Sequence, residues 1–437
     1  MALPVKTLVV DNGAYTIKAG FSDSTASYNS CVEIPNCIAR GRDRRIYVGS
    51  ELESCVDYGM MTYRRPVERG FLVNWESEKE IWDRAFVDKK GVLKCDPKGT
   101  NLILTEAPNT LAALQTNCDQ MIFEEYEFAS YYRCVAGSLV AWNNIEALYD
   151  TSQTEAIVPV EATLVIDSGY SFTHVIPVID GKVWNAAVRR IDVGGKVLTN
   201  YLKDIVSIRH YYMMEETHVI NEVKENVSFV SLDFKGDLEK CKKEKKNDIV
   251  LDWVLPDYNT NKPGFKRPPK PRKPKSDDEM ETTASKKDEE DYMTLGNERF
   301  TVPELLFNPS NIGYKQAGVV ETVMQSLEVI PEVYRYALLA NIVLVGGNTK
   351  IPGFKERFIN ELRPLAPYDA EIRVGLSADP VKFNWLGGVQ LAQNRAALRS
   401  CVVTKEEYEE HGGIWTARKF AGLEEPKNDN KRRKVEA

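Results

Sequence analysis

Two short stretches of this 437-residue chain set an acid and a glycine at the point where a strand doubles back: Asp11-Asn12-Gly13 after Thr7-Leu-Val-Val10, and Asp167-Ser168-Gly169 after Thr163-Leu-Val-Ile166. At such a turn, backbone N–H groups can meet phosphate oxygens and glycine permits close approach. The carboxylate can hold a water bound to a divalent metal. One Asp-x-Gly turn is a common loop feature. Two that face each other make a site for a phosphorylated ligand and its cation. A third element fits beside them: Asn341-Ile-Val-Leu-Val345 runs into Gly346-Gly347 and, past Ile351, toward a helix whose N-terminus can face an anion.

The two hairpins match each other over Thr7–Phe21 and Thr163–Pro177, starting 156 residues apart. That spacing is too long for a solenoid repeat and predicts two homologous domains. Between them, Asn74–Phe86 has helical spacing, with Asn74 as the cap and Ile81, Trp82, Ala85 and Phe86 on one face. Asn101–Thr105 reads as a strand. Strands alternating with helices predict an α/β architecture.

Composition bounds the rest. With 43% hydrophobic residues the chain can build cores, and its length predicts two to four domains of about 100–200 residues. A net charge of −7 argues against binding nucleic acid over the whole surface. Eight cysteines without a C-x-x-C pair and only four histidines argue against a zinc site and for reduced thiols. No apolar stretch approaches the roughly 18 residues of a membrane span, and no signal peptide is expected.

Two segments carry concentrated charge. Residues 257–292 hold seven bases and no acid from Lys262 to Lys275, then eight acids between Asp277 and Asp291. This predicts a disordered insertion, either a docking or DNA-contacting arm or a tolerated surface loop. The stretch Lys431, Arg432, Arg433 and Lys434 reads as a nuclear localisation signal or as a solvated charge cluster.

Further motifs follow in order: Leu104-Thr-Glu-Ala-Pro108, Leu295-Gly-Asn-Glu-Arg-Phe300, Pro303-Glu-Leu-Leu-Phe-Asn-Pro309, Ile312-Gly313, Trp385-Leu-Gly-Gly388 and Lys405–Gly413. With the hairpins, they make the chain resemble actin and the actin-related proteins over nearly its full length. The resemblance implies the α/β actin-like ATPase fold shared with chaperone ATPases and sugar kinases: two duplicated lobes of four subdomains around a nucleotide cleft. It divides the chain into residues 1–35, 66–157 and 381–423 as the first subdomain, and a shortened second at 36–65. The third takes 158–193 and 314–380, the fourth 194–313, and a basic tail 424–437.

The resemblance also implies ATP or ADP with a divalent cation, as structural ligands. Asp11, Asn12, Gly13 and Lys18 would lie near the phosphates, faced by Asp167, Ser168 and Gly169, with Asp11 and Asp167 reaching the metal through water. Gly195, Lys224, Glu225, Gly346, Gly347 and Ile351 would line the ribose and base. The departures fall on the catalytic side. Ala14 and Tyr15 stand where the family has Ser and Gly, and Tyr170 stands where it has a second acid. Ala136, on a helix expected over Tyr131–Leu139, aligns with the water-orienting Gln. These losses imply no catalytic residue and little or no hydrolysis. Either nucleotide is bound without turnover or Tyr15 occupies the phosphate space. Tyr131, Tyr132 and Arg133 form either an exposed patch or part of the core.

Only five residues separate Arg40 from Ile46, where actin has a longer loop that grips the next subunit, so no homopolymer is expected. The resemblance to nuclear members of the family implies a non-catalytic scaffold of a Swr-type chromatin remodeller that exchanges histone H2A for its Z variant. Its expected partners are the motor ATPase, a small zinc-finger subunit, histones of the nucleosome, and DNA through the basic insertion, with no membrane. It would be nuclear, with a possible cytoplasmic pool. The alternatives are a cytoplasmic actin-like ATP-binding protein with a cytoskeletal role, and a sugar kinase or chaperone ATPase.

Overall fold

The computed structural model describes residues 3–422 except 24, 90, 150–160, 244–246 and 270–289. The tail cations Lys431 to Lys434 and the middle of the charged insertion lie outside the described residues.

Two sheets carry the molecule, and five strands of each are ordered alike. In the first, β1 (Lys6–Asn12) pairs antiparallel with β2 (Thr16–Phe21), which pairs with β3 (Val32–Pro35). On its other side β1 runs parallel to β4 (Thr100–Glu106), and β4 to β5 (Ser130–Val135). In the second, β6 (Ala162–Ser168) pairs antiparallel with β7 (Thr173–Ile179), and β7 with β8 (Lys182–Val183). β6 runs parallel to β9 (Ile342–Val345), and β9 to β10 (Val374–Leu376). Each sheet is thus built outward from a hairpin, and the duplication read from Thr7–Phe21 and Thr163–Pro177 is a duplication of the sheet.

Strands buried on both faces read as unbroken apolar runs. Leu8, Val9 and Val10 of β1, and Leu164, Val165 and Ile166 of β6, have no exposure. The helix Phe383–Gln393 covers one face of the first sheet: Trp385 Nε1 donates to Val9 O at 3.2 Å. A Cβ on Gly387 would stand 1.9 Å from Leu139 O, and one on Gly388 2.6 Å from Val9 Cγ1. The Trp-Leu-Gly-Gly motif therefore lets this helix lie directly against the sheet. α1 (Trp75–Trp82) starts as expected, with Asn74 Oδ1 accepting from Ser77 N at 3.0 Å, and buries Ile81 and Trp82. The chain continues in a wider turn over Asp83–Val87 that buries Ala85 and Phe86.

Two expectations are corrected. Tyr131–Leu139 is not one helix: Tyr131–Val135 belong to β5, and a short helix begins at Ala136. Parallel pairing with β4, from Ser130↔Asn101 to Val135↔Glu106, suits Tyr131, Tyr132 and Val135. Tyr131 is fully buried, and Arg133 is buried between Asp119 at 3.0 Å and Glu106 at 2.8 Å, so this segment is core.

The second correction concerns the charged insertion, whose flanks are folded. Asp257 and Lys262 exchange two backbone hydrogen bonds of 3.0 Å across a turn. Phe265–Arg267 then pairs with Leu251–Val254, whose other edge takes Tyr292–Leu295. The Arg267 guanidinium stands over the Tyr292 ring at 5.0 Å and ties the two outer strands together.

Beside the first sheet a small one is formed by Ile38–Arg40, Ile46–Val48 and Thr62–Arg64. Its first turn is the expected five residues, closed by Gly41 N to Arg45 O at 3.0 Å. Among the described residues, no helix is long and apolar enough to cross a membrane.

Candidate functional site

Asp11 is the penultimate residue of β1, where Thr105 Oγ1, from β4, donates to its Oδ1 at 2.7 Å. The same hydroxyl accepts from Asn12 N at 3.0 Å, so it fixes both residues of the turn. Lys18 Nζ stands 3.7 Å from Asp11 Oδ2 and donates to Thr16 O at 3.3 Å. Gly13 is required by close approach, since a Cβ there would lie 2.5 Å from Thr16 O.

The second hairpin is held from two sides. Asn348 Nδ2 donates to Gly169 O at 2.8 Å and to Ser168 Oγ at 3.1 Å. Gly346, at φ +92°, packs so tightly that a Cβ would meet Ser168 O at 2.4 Å, whereas one on Gly347 would meet nothing within 4 Å. From the other side comes α2 (Gly195–Arg209), with Gly195 N donating to Gly169 O at 3.0 Å and Lys196 N to Tyr170 O at 2.8 Å. The first amides of this helix are thus committed to the hairpin.

Asp167 keeps partial exposure, yet its carboxyl is pushed up to about 6. Desolvation is the largest cause and the charge of Asp11 the next, with Lys18 opposing. The two hairpin acids therefore sense each other, and a cation bridged to them by water would relieve that repulsion. Among the described residues, no group of three or more Asp, Glu, His or Cys side chains is placed to bind a metal directly.

Lys224, on α3 (Thr217–Val227), is buried and points back to α2. Its Nζ donates to Asn221 Oδ1 at 2.9 Å, Thr199 Oγ1 at 3.0 Å and Gly195 O at 3.4 Å. Burial pushes the ammonium down to about 8, against the opposing charge of Glu225. Glu225 is exposed and accepts from Asn221 Nδ2 at 2.8 Å. Ile351 packs against the apolar core of the second lobe, its N–H on Asn348 O at 3.2 Å. The structure thus brings Gly195, Lys224, Gly346 and Gly347 around the second hairpin; Ile351 faces the core.

Sequence reasoning missed Thr105, Asn348, Asn221 and Arg65. Thr105 lay inside the Leu-Thr-Glu-Ala-Pro motif without a role; for Arg65 and Asn221 only the folded structure gives a signal. Between the hairpin tips, the Tyr15 and Tyr170 rings lie 5.0 Å apart at 33°, and the Arg65 guanidinium stands 4.6 Å from the first and 5.1 Å from the second. Arg65 is anchored by Nη1 hydrogen bonds to Tyr15 O and Asn36 O, both 3.2 Å. Asn221 Nδ2 donates to Tyr15 Oη at 3.3 Å. Burial, then the charge of Glu225, pushes the Tyr15 phenol up to about 12, so it stays neutral.

The nucleotide implied by the resemblance fits this site in part. Open space at Gly347 and the Lys224–Glu225 helix suit an adenosine. The phosphate end does not fit: two rings and a guanidinium stand between the turns whose amides would have to meet the phosphates, and Ala14 and Ala136 bring no side chain that could orient a water.

The family model described as "Actin" matches residues 2–421. A Neurospora crassa protein named actin-related protein 6 is 49% identical, over 96% of this chain and 95% of its own. The Aspergillus fumigatus actin-like protein arp6 is 47% identical, over 97% and 96% of the two chains. In Drosophila melanogaster, actin-related protein 6 is 38% identical, over 93% and 97%. The topology, the hairpin pair and these full-length matches agree: the chain belongs to the actin family.

Proposed function

We propose that the chain is a non-catalytic scaffold subunit of a nuclear, Swr-type chromatin remodeller that exchanges histone H2A for its Z variant. The observation that carries the loss of catalysis is the content of the cleft: at the hairpin tips, where phosphoryl transfer would need water-orienting and charge-neutralising groups, stand Ala14, Tyr15 and Tyr170, and Ala136 opens the short helix after β5. Alanine and tyrosine side chains supply neither a group that orients an attacking water nor a positive charge for the one that develops on a transferring phosphoryl group. Proteins of the actin family bind a nucleotide with a divalent cation; in this chain any ATP or ADP would be structural, held from the adenosine side by Gly195, Lys224, Gly346 and Gly347.

The motor ATPase of the complex is then a different subunit, docked on this rigid body together with a small zinc-finger subunit. Histones are reached through the complex, and the bases Lys262 to Lys275 are the candidate DNA contact. Lys431 to Lys434 are the proposed import signal. The cytoskeletal alternative is not favoured, because the full-length relatives bear the name actin-related protein 6 or its equivalents.

Affinity purification of the tagged full chain from nuclear extract, followed by mass spectrometry, tests the reading. Co-purification of a remodelling motor and histones supports it. Recovery of neither, or of actin-binding cytoskeletal proteins alone, sinks it.

A further inference from the structure

The two lobes share an apolar cluster in which Val140, Ile145 and Tyr149 pack with Val165, Ile176 and Val343, and a second line of contacts crosses the cleft. At its inner end are Tyr15 and Arg65 of the first lobe, against Tyr170 and Asn221 of the second. At its outer end, Tyr58 stacks on His218 of α3 with ring centroids 3.9 Å apart and planes at 10°, and Met60 N donates to the Glu216 carboxylate at 3.2 and 3.3 Å. Tyr258 packs beside them, 6.4 Å from Tyr58. Each lobe thus contributes aromatic and polar groups at two levels.

We infer that these contacts are a built-in clamp: Tyr15, Arg65 and Tyr170, with the Tyr58–His218 latch, hold the lobes closed without nucleotide and fill the space that a polyphosphate would need.

The chemistry supports substitution rather than mere crowding. A nucleotide with its cation joins two lobes because both hairpins contact it at once. Here one guanidinium contacts both hairpins, through the faces of Tyr15 and Tyr170, and is held in place by two backbone carbonyls of its own lobe. Asn221 binds the Tyr15 hydroxyl and the Glu225 carboxylate together, so the helix that flanks the adenosine side is coupled to the plug. A ligand phosphate would have to displace the rings before reaching the Gly13 and Gly169 turns. If the displaced state is populated at about 1%, apparent affinity falls about 100-fold. The inference concerns the geometry of the cleft and stands or falls independently of the remodeller reading.

The test uses the full chain and MgATP as probe, with calorimetry for binding and spin-label distances between exposed positions on the two lobes for closure. The wild type is expected to show no binding at concentrations up to about 1 mM, and one short interlobe distance that MgATP does not change. Tyr15→Gly combined with Tyr170→Asp should bind MgATP at least about 100-fold more tightly than the wild type, and Arg65→Ala should broaden the distance distribution without ligand. Micromolar binding by the wild type would overturn the inference, most directly if Arg65→Ala abolished it and so marked Arg65 as a phosphate ligand. If the double variant does not fold, the wild-type distances decide: closure that appears only on adding MgATP refutes a built-in clamp.

Discussion

Replacing Glu78 by glutamine should make the protein more stable at pH 8 and no more stable at pH 4. Glu78 sits on the inward face of α1, one turn before Ile81 and Trp82, with no exposure. Burial pushes its carboxyl up to about 7 from an ordinary 4.5, with Asn12, Trp82 and Asn36 opposing. Neither oxygen completes a hydrogen bond, and Trp82 Nε1, Asn12 Oδ1 and Asn36 Oδ1 are also buried without partners. A neutral carboxyl suits this set, since its O–H can donate to an asparagine oxygen and its carbonyl can accept from the indole; a carboxylate has no proton to give.

The sign follows from linkage. Between about pH 4.5 and 7 the folded chain keeps a proton on Glu78 that the unfolded chain releases, so stability falls as pH rises through that window and levels off above it. A shift of about 2.5 pH units at about 1.36 kcal/mol each gives about 3 kcal/mol, a large part of the 5–15 kcal/mol typical of a domain. Glutamine carries the same donor and acceptor at every pH. Asp167 is also raised, to about 6, so the wild-type slope alone is ambiguous. The difference between wild type and Glu78→Gln in urea melts from pH 4 to 8 isolates Glu78. A variant less stable than wild type at pH 8, or a difference that does not change with pH, would refute the reasoning.

Arg133→Ala should cost about 3–5 kcal/mol by leaving the buried Asp119 and the half-buried Glu106 without their cation; denaturant midpoints read it, and a loss below about 1 kcal/mol would mean that the pocket takes up water. Gly387→Ala should destabilise by about 1–3 kcal/mol, because its methyl would meet the Leu139 carbonyl at 1.9 Å and push the helix away from the short helix Ala136–Leu139; an unchanged melting temperature would count against that packing. The purified full chain should show no magnesium-dependent ATP turnover, and Ala136→Gln should not restore it while Tyr15 and Tyr170 remain; a phosphate-release assay checks both.

What could be read in the sequence was what repeats or has a fixed period. The hairpins were legible because β-branched strands must end in a particular turn, and their double occurrence gave away the duplicated sheet. The cap at Asn74 and the apolar face of α1 were legible for the same kind of reason. Glu78 lies on that same face, three residues before Ile81 and four before Trp82, but a glutamate in a helix reads as solvated unless the pocket around it is known. The strand over Tyr131–Val135 was hidden by resemblance, which carried a helix onto a segment whose Tyr131, Tyr132 and Val135 favour pairing with β4. The folded flank of the insertion was hidden by its lysines and prolines, since Arg267 earns its place only by meeting Tyr292, 25 residues further on.

Arg65 is the most telling case, because its function exists only between lobes. Nothing local to Tyr63-Arg-Arg-Pro66 distinguishes Arg64, which pairs with Glu76 at the surface, from Arg65, which lies between two tyrosines 50 residues before it and 105 residues after. The two tyrosines were visible as losses, a glycine and an acid gone from a phosphate site. Only the third member shows that the losses are complementary: a ring at 15 without one at 170 would leave the guanidinium only rings of its own lobe to meet, Tyr15 at 4.6 Å and Tyr63 at 5.6 Å. The pair therefore predicts non-additive variants. Removing either ring should release most of the clamp, and removing the second should add little, because the cation that joined them has already lost its bridge.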